Sequence, residues 1–317
     1  MEALKILGPS IIPVFALLSL GVIFRRTQFL SKATIDQFKK LIVNFSLPSL
    51  LFIAFFEVSL SGDGLSLVGL IFASCALALI LGFLISSRLF PGKRTAPFLF
   101  SGFEAGMLGY ALYLALFGQE NLGVFAATDL GQVLFVFLVL VPLLERDSGH
   151  IETLGKTLGN ALRSPIIGAI VLGLLAGAMN RALSFDSTAI FLSLEAVLAF
   201  LGSLTVPLVT LSVGYTLVVD PSRMSRALSI TLIRLVVNGS LAWILTGLIS
   251  RGTIELPIEY IPAVWVMFLL PPPFVIPAFL RPEETEEEGF ASAVLSIHTV
   301  ASVLVIPLLA YLLGFLG

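Results

Sequence analysis

The stretch "FLLPPPFVIPAFL", residues 268–280, decides how this chain is read. It is apolar enough to lie in a bilayer, yet it carries Pro271, Pro272, Pro273 and Pro277. Proline has no backbone N–H and cannot sit in a helix interior without breaking it. Broken backbone at membrane depth is tolerated only where protein buries it or where it lines a wet cavity. The stretch therefore predicts an interruption with a purpose, provided the chain is a membrane protein.

Composition supplies that condition. Of 317 residues, 57% are hydrophobic and 12% charged, with mean hydropathy +1.05; a soluble domain has about 25% charged residues. The expectation is an all-α polytopic membrane protein. The net charge of −2 argues against a nucleic-acid partner. The single cysteine, Cys75, lies in an apolar run and reads as a small buried residue. The first apolar run carries Glu2 and Lys5 and leads to Arg25-Arg26, which is not the pattern of a cleaved signal peptide.

A span needs about 20 mostly apolar residues, and ten segments meet that expectation: 6–24, 38–57, 65–87, 97–117, 121–144, 163–180, 190–218, 227–249, 260–280 and 289–315. Of the 18 basic residues, 14 fall on odd-numbered connections, from Arg25, Arg26, Lys32, Lys39 and Lys40 in the first to Arg281 in the ninth. Lys5, Arg181 and Arg251 fall on the other side. Cytoplasmic loops are enriched in Lys and Arg, so both termini are expected on the outer side. The acidic run "EETEEE" (283–288) reads as a solvated cytoplasmic loop.

The two halves of the chain resemble each other. "GPSIIPVFALLSLG" (8–21) aligns with "SPIIGAIVLGLLAG" (164–177) through Pro9/Pro165 and Gly21/Gly177. "SLPSLLF" (46–52) aligns with "TVPLVTL" (205–211) through Pro48/Pro207, and "FVFLVLVPLL" (135–144) with "ASVLVIPLL" (301–309) through Pro142/Pro307. Five spans per half is an odd number, so the halves are expected to be inverted: residues 1–145, a connection at 146–162, and residues 163–317. Inverted repeats place binding sites near the midplane at discontinuous helices in matching positions. Span nine is broken by its prolines; its partner, span four, reads "FLFSGFEAGMLGYAL" (98–112), with Gly102, Gly106 and Gly109 around Glu104. The free N–H groups of such half-helices suit an anion.

Ionisable residues inside spans are functional candidates by default. Glu104 at the break is a candidate H⁺ or Na⁺ carrier; its plain alternative is a carboxyl tied to the opened backbone. Asp129 and Gln132 are three residues apart and share a helix face. "SIHTVAS" (296–302) places His298 and Thr299 in mid-span ten. Arg234 and Asn238 in span eight are four apart, and Arg234 reads as snorkelling to the interface. Ser49 beside Pro48 either lines a cavity or bonds back to its own helix. No HExxH, GxSxG or Walker pattern is present, so an enzyme or an ATP-driven pump is not expected.

These motifs resemble the auxin efflux carrier family, which includes the plant PIN carriers and bacterial homologues. "LPSLLF" (47–52), "PLVTLSVGYTL" (207–217), "PPFVIPAFL" (272–280) and "HTVASVLVIPLL" (298–309) carry the likeness over most of the chain, and Gln132, 13 residues before Glu145, stands where the family has a substrate-lining Gln. The likeness departs at span four, where Glu104 replaces an Asn and Ala111 a Pro. It implies ten helices in two inverted repeats with crossover helices 4 and 9. Spans 1, 2, 6 and 7 would form a scaffold and spans 3–5 and 8–10 an elevator-type transport domain. It also implies a small organic anion as substrate (an auxin-like aromatic acid or a dicarboxylate), a homodimer, and the bacterial inner (plasma) membrane. On this reading Gly106, Gln132, Pro272, Pro273, Phe274 and Ser49 meet the substrate. Glu104, Asp129, His298 and Thr299 carry H⁺ or Na⁺ coupling, with no cofactor and no bound metal. The bile acid–sodium symporters share the architecture and are the alternative; a membrane ligand sensor without transport and an intramembrane hydrolase using Glu104 and Asp129 are others.

Overall fold

A computed structural model of the chain describes residues 2–58, 62–148, 159, 163–217, 220–281 and 283–315. Most of the 146–162 connection, Lys156 included, lies outside them. The described residues form helices and connections, with no strand among them.

In chain order the helical stretches are α1 (Glu2–Arg26), α2 (Lys32–Glu57), α3 (Gly62–Leu89), the interrupted α4 (Phe98–Phe117), α5 (Gln119–Asp147), α6 (Pro165–Leu183), α7 (Ala189–Thr216), α8 (Pro221–Ser250), the short α9 (Tyr260–Leu269) and α10 (Thr285–Leu312). Eight of these contain stretches long and apolar enough to cross a membrane. The chain is a polytopic α-helical membrane protein. The first expected span falls in α1 and the ninth in α9 with the proline run behind it; neither is among the eight.

Local chemistry explains where the helices start and bend. Ser31 caps α2 by accepting from the Thr34 N–H at 3.1 Å, satisfying one of the orphan donors of a first turn. Pro48 and Pro142 sit inside α2 and α5, and in each case a π turn, Ile42–Ser46 or Val136–Leu140, ends two residues earlier. A widened turn accommodates a residue that cannot donate to the helical ladder.

Two helix pairs pack backbone to backbone. Gly21 of α1 lies against α7, where an added Cβ would stand 2.6 Å from the Tyr215 nitrogen. Gly177 of α6 lies against α2, where a Cβ would stand 3.0 Å from the Phe56 carbonyl carbon. The hydroxyls of Ser46 and Thr205 meet between α2 and α7 at 2.5 Å. A second group forms where α3 packs on α5, and α8 on α9 and α10. Cys75 is fully buried in α3.

The acidic run corrects the expectation of a solvated loop. Most of it forms the first turn of α10, where carboxylates suit the helix dipole, and three of its residues are paired. Glu284 pairs with Arg94 at 2.7 Å, Glu286 with Lys93 and Arg223 at 3.2 and 3.1 Å, and Glu287 accepts from the Thr95 N–H and hydroxyl at 3.1 and 2.7 Å. Arg94 also pairs with Asp147 at the end of α5, at 2.8 Å. These contacts tie the ends of α3, α5, α8 and α10 together.

Candidate functional site

The two interruptions meet. The break in α4, residues 101–104, lies against the proline run after α9. The main chain joins them directly, because Glu104 N–H donates to the Pro271 carbonyl at 2.9 Å. Gly102 has φ +66°, a conformation that glycine takes at no steric cost, and a Cβ there would come within 2.8 Å of Pro273 Cγ.

The prolines now have a physical role. Extended backbone inside hydrocarbon has no helical partners for its N–H groups, and each unsatisfied one is costly. Three consecutive prolines remove three donors from the segment that could not satisfy them. The carbonyls still need partners, and several find them: Leu269 from the Ser302 hydroxyl at 2.6 Å, Leu270 from Arg234 at 3.3 Å, Pro271 from Glu104 N–H, and Pro273 from Ile276 N–H at 3.2 Å. The first donor after the run, Phe274 N–H, reaches Glu104 Oε2 at 2.6 Å.

Glu104 is thus shared by both interruptions. Its other oxygen, Oε1, accepts from Met107 N–H at 3.0 Å and caps the helix that resumes at Ala105. The donors expected to hold a substrate carboxylate at this crossing are already engaged by the protein's own carboxylate.

Arg234 serves the opposite ends. It is completely buried, and its guanidinium donates to the carbonyls of Leu99, Gly102 and Leu270 at 2.8, 2.7 and 3.3 Å. Its plane lies over the Phe103 ring, 5.3 Å from the centroid, and Asn238 one turn on donates to the Phe100 carbonyl at 3.3 Å. The snorkelling expectation for Arg234 is therefore overturned. Its head turns inward, because the α4 break leaves carbonyls that an inward-facing fork satisfies. Arg234 thus satisfies carbonyls on both sides of the junction, and Glu104 satisfies N–H groups on both sides.

Beside the crossing is a cavity of about 570 Å³. One wall comes from α2, α6 and α7, including Lys39, Val43, Leu47, Ile166, Val213 and Thr216; the other comes from the crossing and α10, including Glu104, Gly106, Met107, Phe274, Ser296 and Thr299. Most of the lining is apolar. Polar groups converge as a hydroxyl stripe on α10, where Ser292, Ser296 and Thr299 recur at helical spacing. Among the described residues of the lining, the charged ones are Lys39 and Glu104.

The sequence-derived candidates divide. Glu104, Gly106, Phe274 and Thr299 line the cavity. Pro272 and Pro273 are buried in the crossing behind it. Asp129 and Gln132 do share a face: Gln132 donates to Asp129 at 3.1 Å, and Tyr110 donates to the other carboxylate oxygen at 3.2 Å. Both are buried and neither is among the cavity residues. Ser49 is buried and donates back to the Phe45 carbonyl at 2.8 Å. His298 is fully buried near Arg234 and the Leu269 carbonyl, not on the cavity. Among the described residues no three His, Cys, Asp or Glu side chains group as metal ligands.

The sequence reading missed Lys39 as a cavity residue, having counted it only as a loop charge. The spacing Lys39, Val43, Leu47 was the available signal, since positions four apart share one helix face. It also missed Met107 and Tyr110, whose roles depend on main-chain geometry at the break.

The fold and site define the protein as a helical membrane protein with two interruptions that meet beside a cavity. No family model matches the chain. Comparison with curated proteins likewise returns no match.

Proposed function

We propose that the protein is a secondary transporter of small organic anions. It would be built as two inverted five-helix repeats that move against each other in the elevator manner of the auxin efflux carriers it resembles. The observation that carries this reading is the position of the cavity. Lys39, Leu47, Ile166 and Val213 line it from α2, α6 and α7, the proposed scaffold, and Glu104, Phe274 and Thr299 line it from the proposed transport domain of α3–α5 and α8–α10. A site at the boundary of two bodies is exposed to alternate sides when one slides past the other.

Internal pairing supports the inverted repeat. If α1 and α2 correspond to α6 and α7, the contact of α1 with α7 corresponds to that of α6 with α2. The aligned glycines, Gly21 and Gly177, sit at those two contacts. Ser46 and Thr205, each two residues before an aligned proline, touch one another, as equivalent residues beside a pseudo-twofold axis do. The same correspondence pairs α4 with α9, the two interrupted segments. The ion pairs among Arg94, Asp147, Arg223 and Glu284–Glu287 bind helix ends of the proposed transport domain to one another and support its moving as a unit.

Coupling to H⁺ or Na⁺ runs through Glu104, with Thr299 beside it on the cavity wall and Asp129 and His298 behind. The surrounding apolar lining fits an organic acid with a hydrophobic body. The protein lies in a bacterial inner membrane with both termini outside and forms a homodimer.

Flux of labelled organic acids in proteoliposomes tests the proposal. Saturable flux that responds to an imposed H⁺ or Na⁺ gradient is expected, and Glu104→Gln should abolish it or remove its gradient dependence. A Glu104→Gln protein with wild-type flux and wild-type gradient dependence would remove the coupling role. Ligand binding without flux would favour a sensor.

A further inference from the structure

We infer that Lys39, rather than the helix crossing, recognises the anionic group of the ligand; this rests on the organic-anion reading above. A crossing of interrupted helices offers N–H donors to an anion. Here the donors that face the cavity, Met107 N–H and Phe274 N–H, are held by Glu104 at 3.0 and 2.6 Å. A ligand carboxylate at that end would find both donors already engaged, and a desolvated anion without hydrogen-bond partners is costly.

The other buried cation of the region, Arg234, is no substitute. It is completely buried, spent on three carbonyls, and is not part of the cavity wall. Lys39 is the one basic residue among the described cavity residues. It is half-buried, and among the described residues no ion pair involves it. Its nearest acidic neighbour in sequence, Asp36, is exposed one turn earlier and attracts Lys39 without pairing with it.

Spacing along α2 sets the geometry. Leu47 stands against Gly106 at the crossing, since a Cβ on Gly106 would lie 3.6 Å from Leu47 Cδ2. Lys39 is eight residues earlier on the same stretch, roughly 10–12 Å away, since the π turn at Ile42–Ser46 rises less per residue than the 1.5 Å of an α-helix. Val43 and Leu47 cover the interval. A ligand therefore lies with its anionic group toward Lys39 and its apolar body along Val43, Leu47, Met107 and Phe274. Glu104 stays bonded to Met107 N–H and Phe274 N–H at the crossing.

The test uses the full-length protein in detergent, with binding read by calorimetry and thermal shift. The probes are benzoate, neutral benzamide and cationic benzylamine. Wild type should bind benzoate saturably and more tightly than benzamide. Lys39→Gln should weaken benzoate at least tenfold while leaving benzamide unchanged, and Lys39→Arg should stay within about threefold of wild type. Lys39→Glu should reverse the preference and bind benzylamine, a gain that misfolding cannot imitate. Absence of benzoate binding to wild type, equal binding of acid and amide, or undiminished benzoate binding by Lys39→Gln would each overturn the assignment. Flux of other solutes without these effects would leave the transporter reading standing. Lys39-dependent binding without flux would do the reverse.

Discussion

The Glu104 carboxylate accepts a hydrogen bond from the main-chain N–H of Phe274 at 2.6 Å, across 170 residues of chain. With the bond from Met107 N–H to the same side chain, one residue holds both the start of the helix that resumes at Ala105 and the end of the proline run. The reverse bond, Glu104 N–H to Pro271, closes the junction from the main chain.

Removing this side chain should loosen the crossing. A buried donor left without its partner costs about 1–3 kcal/mol, and Glu104→Ala strands the N–H groups of Met107 and Phe274. The melting temperature of the detergent-solubilised protein is expected to fall clearly. Glu104→Asp, one methylene shorter, should fall in between, because it keeps the local cap on Met107 and loses the reach to Phe274. Equal melting of Ala and Asp variants would argue against the bridge.

Arg234 should tolerate no replacement. Arg234→Met strands three buried carbonyls, and each orphaned group costs about 1–3 kcal/mol. Arg234→Lys keeps the charge but not the planar fork, so it should recover only part of the loss. Monodispersity on size exclusion and thermal melting read the outcome.

The helix contacts predict a contrast among glycines. Gly177→Ala forces a methyl into the Phe56 backbone and should destabilise by about 1–3 kcal/mol, the usual penalty of overpacking. Gly168→Ala on the same helix meets nothing within 4 Å. It should be neutral or stabilising by up to about 1 kcal/mol through helix propensity. Melting of the two variants side by side distinguishes them.

Asp220 predicts an acid limit at the start of α8. The Ser222 hydroxyl, and then the Ser222 N–H, hold its carboxyl below the usual aspartate range. A depressed folded-state value means that the contribution is present above the unfolded value, about 3.9. It is lost as pH falls through the folded value. Asp220→Asn should therefore flatten the dependence of melting temperature on pH below about pH 4 and change little at neutrality. An unchanged acid limb would dismiss the cap.

Much of this was legible in order along the chain. Apolar length located eight helices able to cross a membrane, and the prolines of 271–277 with the glycines of 102–109 located both interruptions, because backbone interruption is written in residue type. The shared face of Asp129 and Gln132 followed from helical spacing. The inward turn of Arg234 did not, because a snorkelling arginine and a carbonyl-capping arginine have the same neighbours in sequence and differ only in what lies across the bundle. The pairing of Glu284, Glu286 and Glu287 with Arg94, Lys93 and Arg223 escaped for the same reason: a charge run carries no record of its partners.

Residue types along the chain establish that it is helical, that it belongs in a membrane, and where its helices break. These follow from hydropathy and from the missing N–H of proline, both properties of single residues. Packing settled that the two breaks hold each other, that Glu104 engages the N–H groups of Met107 and Phe274, and that Lys39 lines the cavity. Those outcomes depend on which unsatisfied N–H and carbonyl groups are brought within hydrogen-bonding distance, and that is set by the packing of helices far apart in the chain.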